Sequence, residues 1–115
     1  MEYEENMWVK GFPGAITISD TQGIVLEIND ASAKVFEEDG GRGIIGKNML
    51  DCHPDPSLDK LQHMLENQTS NAYFNSENSE KRFFFQSPWY RDGRYTGFVE
   101  ISFQVPEIIP HFIRE

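Results

Sequence analysis

The sequence predicts an α+β domain built on an antiparallel sheet. Two short β-branched segments open the chain, short helical segments and one longer helix occupy its middle, and three strand-like segments close it. Strands grouped at both ends with helices between them are typical of α+β domains. The chain has 115 residues, which is enough for one domain with its own core.

The opening strands form a predicted hairpin that leads into a helix. Residues 15–19 and 24–28 are apolar and β-branched, and residues 20–23 (DTQG) between them have turn composition. Asn29 follows as a helix N-cap, because its side-chain oxygen can accept an unpaired backbone N–H. We expect the helix over residues 31–38, with Val35 facing inward.

The longer helix and the closing strands have clearer periodicity. Apolar residues recur at three- and four-residue intervals over residues 56–67, which predicts an amphipathic helix. Residues 72–74, 81–90 and 95–105 are the predicted closing strands, and the last two flank an Asp92-Gly93 turn. In the last strand Val99, Ile101 and Phe103 alternate with more polar residues, which predicts that they form its buried face.

These elements divide the chain into three parts. Residues 1–14 are a predicted N-terminal extension, with a short helix that covers the sheet or a dimer interface. Residues 15–105 are the domain, and residues 106–115 are a tail. Pro106 and Pro110 disfavour a continuous helix in that tail.

Composition excludes several function classes. Ten Lys and Arg against nineteen Asp and Glu give a net charge of −9, which disfavours binding to nucleic acid or to an anionic membrane. A single cysteine excludes an internal disulfide and a four-cysteine zinc site. The N-terminus lacks the features of a signal peptide, and no apolar run reaches the ~20 residues of a membrane span. We therefore expect a cytoplasmic protein.

Three segments resemble the PAS domain, the sensory module of bacterial signalling proteins. They are residues 16–29 (ITISDTQGIVLEIN), residues 45–48 (IGKN) and residues 89–97 (WYRDGRYTG). Residues 50–54 (LDCHP) are also similar to a Cys-His-Pro segment of PAS domains attached to hemerythrin-like regions. The resemblance implies a five-stranded antiparallel sheet of order 2-1-5-4-3, with helices on one face and a cavity between the two layers.

The function implied by the resemblance is that of a sensor in signal transduction, which binds a small ligand, forms dimers, or does both. Alternation and resemblance together predict the following cavity residues: Ile28, Val35, Met49, His53, Leu65, Phe84, Gln86, Val99, Ile101, Ser102 and Phe103. A signalling partner protein is compatible with this function.

An aromatic cluster favours an alternative, a ligand-free protein–protein interaction module that dimerises. Residues 83–85 are three consecutive phenylalanines, and since strand side chains alternate, at least one faces away from the helices. We predict that Trp8, Phe83, Phe85 and Trp89 contribute to a homodimer interface, because an uncovered aromatic face promotes association.

Cofactor and catalytic chemistry have less support. We expect no resident cofactor and no metal site; if haem binds, His53 or His63 is the predicted axial ligand. Residues 46–49 (GKNM) carry methionine where flavin-adduct relatives carry cysteine, which disfavours a photochemical flavin sensor. Cys52 and His53 are sequence neighbours, an arrangement that seldom forms a nucleophile–base pair, so we predict that the protein is not an enzyme.

Overall fold

The computed structural model describes residues 1–52 and 55–115, and its centre is a five-stranded antiparallel sheet of order β2-β1-β5-β4-β3. This order and the placement of helices on one face confirm the predicted fold class. The helices are α1 (Met7–Gly11), α2 (Asp30–Val35) and α3 (Ser57–Asn67), and 3-10 turns cover Glu37–Asp39, Gly41–Ile44 and Met49–Cys52. The strands are β1 (Ala15–Asp20), β2 (Val25–Ile28), β3 (Asn71–Glu77), β4 (Glu80–Arg91) and β5 (Arg94–Val105).

Asn29 holds the start of the domain together. Its Oδ1 accepts hydrogen bonds from the backbone N–H of Ser32 and of Ile16, both at 2.9 Å, so it caps α2 and also binds β1. Its Nδ2 donates to the carbonyls of Val9 and Gly14, which fixes the segment that follows α1. One buried amide thus joins the N-terminal segment, the sheet and α2, and α1 packs against α2.

Helix α2 is shorter than the pattern predicts. It ends at Val35, and the chain then turns through Gly40 and Gly41, which both have positive φ. Phe36 is the C-cap of α2, and its N–H donates to the Ser32 carbonyl at 3.0 Å. Gly40 ends the 3-10 turn at Glu37–Asp39 that follows α2, because glycine adopts a left-handed backbone conformation without strain.

Two apolar clusters form the core on the helix side of the sheet. One consists of Leu61, Met64 and Leu65 of α3 packed on Phe98 of β5, which confirms the predicted apolar stripe of α3. The other consists of Val25, Ile28 and Ile44. Met49 packs against both clusters. No helix in the described part of the chain is long and apolar enough to cross a membrane.

A bulge in the β4–β5 hairpin decides which side chains face the helices. Near the turn Tyr90 lies opposite Tyr95, but Trp89 lies opposite Gly97, so Thr96 is an extra residue in β5. Beyond the bulge Phe84 pairs with Ser102 and Phe85 pairs with Ile101. An extra residue shifts every later side chain by one position relative to the partner strand.

The predicted facing of β5 is therefore wrong. Val99, Ile101 and Phe103 lie opposite Ser87, Phe85 and Phe83, on the face that points away from the helices. The residues of β5 that face the helices are Phe98, Glu100 and Ser102.

Candidate ligand-binding cavity

A cavity of about 460 Å³ lies between the sheet and the helices. This volume falls within the ~300–1,000 Å³ range of small-molecule sites. Strands β1, β3, β4 and β5 form its floor. Strand β2, helices α2 and α3, and the segment that connects the two helices form its walls. The lining residues are Thr17, Val25, Val35, Phe36, Ile44, Lys47, Asn48, Met49, Ser57, Lys60, Leu61, Met64, Asn71, Tyr73, Phe84, Gln86 and Glu100.

Four polar residues form one row across the floor. Strand pairing places Thr17 of β1 opposite Glu100 of β5, Glu100 opposite Gln86 of β4, and Gln86 opposite Asn71 of β3. Directly paired side chains on one face of a sheet lie about 5 Å apart, so they can bond to one another. The row spans four strands that come from both ends of the chain.

Hydrogen bonds in the row are directed toward Glu100. Asn71 Nδ2 donates to Gln86 Oε1 at 3.0 Å, and Gln86 Nε2 donates to Glu100 Oε2 at 3.1 Å. Thr17 is held separately, because its hydroxyl bonds the Ser32 hydroxyl of α2 at 2.6 Å. Glu100 is therefore the terminal acceptor of an oriented chain of side-chain amides.

The walls of the cavity are mainly apolar. Val25, Ile44 and Phe36 come from the core cluster near β2, and Leu61 and Met64 come from the α3 cluster. The cavity thus separates two hydrophobic clusters above a polar floor. Such a combination suits a ligand with an apolar body and a small number of polar groups.

Two stacked aromatic rings border the polar row. The rings of Tyr73 and Phe84 lie 5.0 Å apart at an interplanar angle of 6°. Burial raises the pKa of the Tyr73 phenol, and the nearby negative charge of Glu100 raises the pKa further. The phenol therefore stays protonated at neutral pH and can act as a hydrogen-bond donor.

The predicted cavity residues divide into several groups. Val35, Met49, Phe84 and Gln86 line the cavity. Ile28 and Leu65 belong to the core clusters, and Ser102 is buried but accepts a hydrogen bond from Arg82 Nε at 3.1 Å. Val99, Ile101 and Phe103 lie on the opposite face of the sheet, so their assignment to the cavity is wrong.

Val35 also differs from the prediction in its exposure. It is 56% exposed and lies at the opening of the cavity rather than in the core. Sequence reasoning missed the polar floor, in particular Thr17, Asn71, Tyr73 and Glu100. Glu100 lies two residues before Ser102 in β5, so the prediction for Ser102 implied that Glu100 faces the same side. The pairing of Glu100 with residues of other strands depends on strand register.

The two histidines proposed as haem ligands are not in the described lining. His63 is exposed on α3, where Asn67 Nδ2 donates to its carbonyl at 2.9 Å. It does not line the cavity, so the structure gives no support for it as an axial ligand. His53 and Pro54 lie outside the described residues, and predictions about His53 and the Cys-His-Pro segment stay predictions. Within residues 1–52 and 55–115 no cluster of three or more potential ligands could hold a metal ion.

The predicted interface residues have different locations. Phe83, Phe85 and Trp89 lie on the face of the sheet that points away from the helices. Trp89 crosses the sheet there and donates from Nε1 to the Ser19 carbonyl at 3.2 Å. Trp8 is exposed on α1, where its ring contacts Phe12 edge-on.

Comparison with known proteins identifies the fold. No protein-family model and no curated protein matches the sequence. The C-terminal domain of a Streptococcus mutans protein has a TM-score of 0.70 at 17% identity, over 90% of each chain. The PAS domain of Bordetella pertussis BvgS has a TM-score of 0.63 at 16% identity, over 86% of this chain and 82% of that one.

A third similar structure was solved with a bound ligand. VqmA bound to DPO has a TM-score of 0.61 at 16% identity, over 85% of this chain and 55% of VqmA. The chain therefore spans about half the length of that protein, which comes from Vibrio cholerae and has also been solved as a dimer. Together with the sheet order, these similarities show that the chain has the fold of a PAS domain.

Proposed function

We propose that the protein is a sensory signalling module that binds a small organic ligand in the 460 Å³ cavity. The observation that carries the proposal is the division of the cavity lining, in which the walls are apolar and the floor carries one continuous row of polar side chains. The binding of DPO by VqmA, which has the same fold, supports it. The proposed role is binding without catalysis, and the cytoplasmic location and signalling partner stay predictions.

Ligand binding has a direct route to the surrounding structure. The two core clusters contact each other through Met49, while the cavity separates much of α3 from β2. A ligand that fills this space packs against both clusters and favours the arrangement in which they are held together. A ligand that binds only this folded arrangement also stabilises the domain by mass action.

The experiment is native mass spectrometry of freshly purified protein, followed by a thermal-shift screen of small metabolites. We expect a mass excess that denaturation removes, or a compound that raises Tm. Substitution of Val35 with Trp tests the site, since Val35 is exposed at the opening and a large ring there obstructs entry.

Lys34→Trp is the matched control, because Lys34 is the preceding exposed residue of α2 and does not line the cavity. Val35→Trp should weaken binding and Lys34→Trp should not. Absence of any retained mass and of any stabilising compound, or equal binding by both variants, contradicts the proposal.

A second candidate function is homodimerisation through the outer face, which we define as the outward side chains of β3, β4 and β5. The observation that favours it is the composition of this face, whose outward residues are Ala72, Phe74, Ser76, Lys81, Phe83, Phe85, Ser87, Trp89, Gly97, Val99, Ile101, Phe103 and Val105. The outward residues of these three strands include no carboxylate, although the chain as a whole has a net charge of −9; Asp20 and Glu27 lie beside them on β1 and β2.

These properties favour a second copy of the chain as the occupant. Two acidic molecules repel one another over most of their surfaces, whereas a face without carboxylates can meet its own copy without like-charge repulsion. Phe74 and Phe85 remain exposed on this face and their burial would drive association.

Phe85→Glu tests the dimer, with Ile45→Glu as a control that adds the same charge at an exposed apolar site on the helix side. Size-exclusion chromatography with light scattering should show a dimer for wild type and for Ile45→Glu, and a monomer for Phe85→Glu. A wild-type monomer at all accessible concentrations, or a dimer that Phe85→Glu leaves intact, contradicts this function.

A further inference from the structure

We propose that the cavity selects a small organic cation, with an apolar body and a protonated nitrogen that pairs with Glu100. This inference rests on the proposed function, since it specifies the chemistry of the ligand that the same cavity takes. The argument depends on the environment of Glu100, on the orientation of its neighbours and on the position of the other charged groups.

Glu100 is a half-buried carboxylate with an incomplete set of partners. Its Oε2 accepts one hydrogen bond from Gln86 Nε2. Across residues 1–52 and 55–115 the structure contains one ion pair, between Arg42 and Asp30, so Glu100 has no cationic partner in that part of the chain. A carboxylate can accept about four hydrogen bonds, which leaves most of the capacity of Glu100 for a ligand.

The neighbouring amides hold this carboxylate in place. Gln86 is buried, and both ends of its amide are engaged, by Asn71 on one side and by Glu100 on the other. Since Asn71 donates to the Gln86 oxygen, the Gln86 N–H group is directed at Glu100. The floor therefore presents the Glu100 carboxylate to the cavity as an oriented acceptor.

Aromatic rings beside Glu100 also favour positive charge. Tyr73 and Phe84 are stacked next to the polar row, and the faces of such rings attract cations. Lys60 already places its Nζ 6.0 Å from the centre of the Tyr73 ring. The rings and the carboxylate together form a site of the kind that binds amines.

The remaining cations lie where they do not neutralise Glu100. Lys47 and Lys60 line the cavity with exposed side chains, and neither forms an ion pair with Glu100. Arg82 packs against Phe84, but its guanidinium donates to the Ser102 hydroxyl and carbonyl outside the cavity lining. Glu100 is therefore the carboxylate of the cavity floor, without an ion-pair partner among residues 1–52 and 55–115.

Three probes of matched shape test the inference: 2-phenylethylamine, 2-phenylethanol and 3-phenylpropionate. Each has one aromatic ring on a short chain, and they differ in carrying a positive, a neutral or a negative head. Titration calorimetry should show that the wild-type protein binds the amine about 10–100-fold more tightly than the alcohol, as is typical of a hydrogen bond to a charged group.

Glu100→Gln keeps the size of the side chain and an oxygen that can accept from Gln86. We expect it to lose the preference for the amine and to bind the alcohol as wild type does. Glu27→Gln removes the same charge from an exposed residue of β2 that does not line the cavity, and it should retain the preference.

The outcomes separate this inference from the proposed function. If the alcohol or the carboxylate binds best, or Glu100→Gln keeps the amine preference, the cation inference is overturned while the ligand-binding function stands. If none of the probes binds and native mass spectrometry shows no retained ligand, both are overturned.

Discussion

The side of the sheet that faces the helices is more polar than the side that faces away from them. The inner side carries Thr17, Glu100, Gln86 and Asn71 in one row. The outer face carries phenylalanines and β-branched residues in the middle of β4 and β5. In an antiparallel sheet covered on one side the apolar face ordinarily meets the core.

The two faces of the sheet are therefore built differently. On the inner side the core is formed at the margins of the cavity, by the two clusters, and the space between them is bordered by polar groups. On the outer face apolar area stays exposed at Phe74 and Phe85. Composition alone would assign these faces the other way round.

The largest effect is expected from deletion of Thr96, the extra residue of the bulge. The deletion would bring Val99 and Ile101 toward the helices and move Phe98 and Glu100 to the outer face. A domain is stabilised by only about 5–15 kcal/mol. Because the deletion removes Phe98 from the core and exposes it on the outer face, we expect that the variant no longer unfolds cooperatively. Circular dichroism during thermal denaturation measures this, with deletion of His111 in the tail as control. A cooperative transition near the wild-type Tm would show that the bulge does not determine which side chains of β5 face the helices.

Phe98→Ala tests the apolar part of the inner side. Phe98 is 1% exposed and packs against α3, so we expect a loss of about 3–5 kcal/mol in the free energy of unfolding. Phe85→Ala removes the same ring from the outer face, where it is 39% exposed, and should cost under about 1 kcal/mol in dilute protein. Urea denaturation measures both values, and equal losses would mean that the outer face is as well packed as the core.

Gly97→Ala tests how closely the outer face is packed at one point. A Cβ at Gly97 would lie against the Ser19 carbonyl and 2.5 Å from Trp89 Nε1, so both the backbone of β1 and the bonded ring would have to move. We expect a loss of about 1–3 kcal/mol. Gly43→Ala is the control, because a Cβ there meets nothing within 4 Å. If Gly97→Ala unfolds at the same urea concentration as Gly43→Ala, Trp89 is not held as the structure indicates.

The smallest expected effect is on the titration of Tyr73. Burial and Glu100 both raise the pKa of this phenol above the ordinary value of about 10. Glu100→Gln removes the second cause, so the pKa of Tyr73 should fall toward its ordinary value, measured by tyrosinate absorbance against Tyr73→Phe. The pKa of Tyr95 is raised by burial, Tyr90 and Asp20, so it should not change.

The sign of the related stability effect follows from linkage. The unfolded chain ionises Tyr73 first as pH rises through about 10, so the raised pKa removes stability above that pH and has no effect below it. Glu100→Gln should make this alkaline loss smaller. An unchanged Tyr73 titration in that variant would place Glu100 farther from the aromatic pair than the structure does.

Local signals in the sequence were sufficient for most of the elements. The Asp92-Gly93 turn forms with positive φ at both residues, and Asn29 caps α2 as predicted. The stripe of α3 is buried at Leu61, Met64 and Leu65. Each of these features depends on hydrogen bonds or periodicity within a few residues, so a short stretch of sequence contains the information.

The sheet faces and the cavity floor depended on the tertiary structure. Alternation along β5 defines two sets of side chains, but either set can face the helices, because a strand is the same on both sides until its partners are known. Counting back from the turn without a bulge would place Ile101 opposite Phe84, whereas the extra Thr96 places it opposite Phe85. The polar row joins residues 17, 71, 86 and 100, and only the assembled register of four strands brings that carboxylate and those amides together.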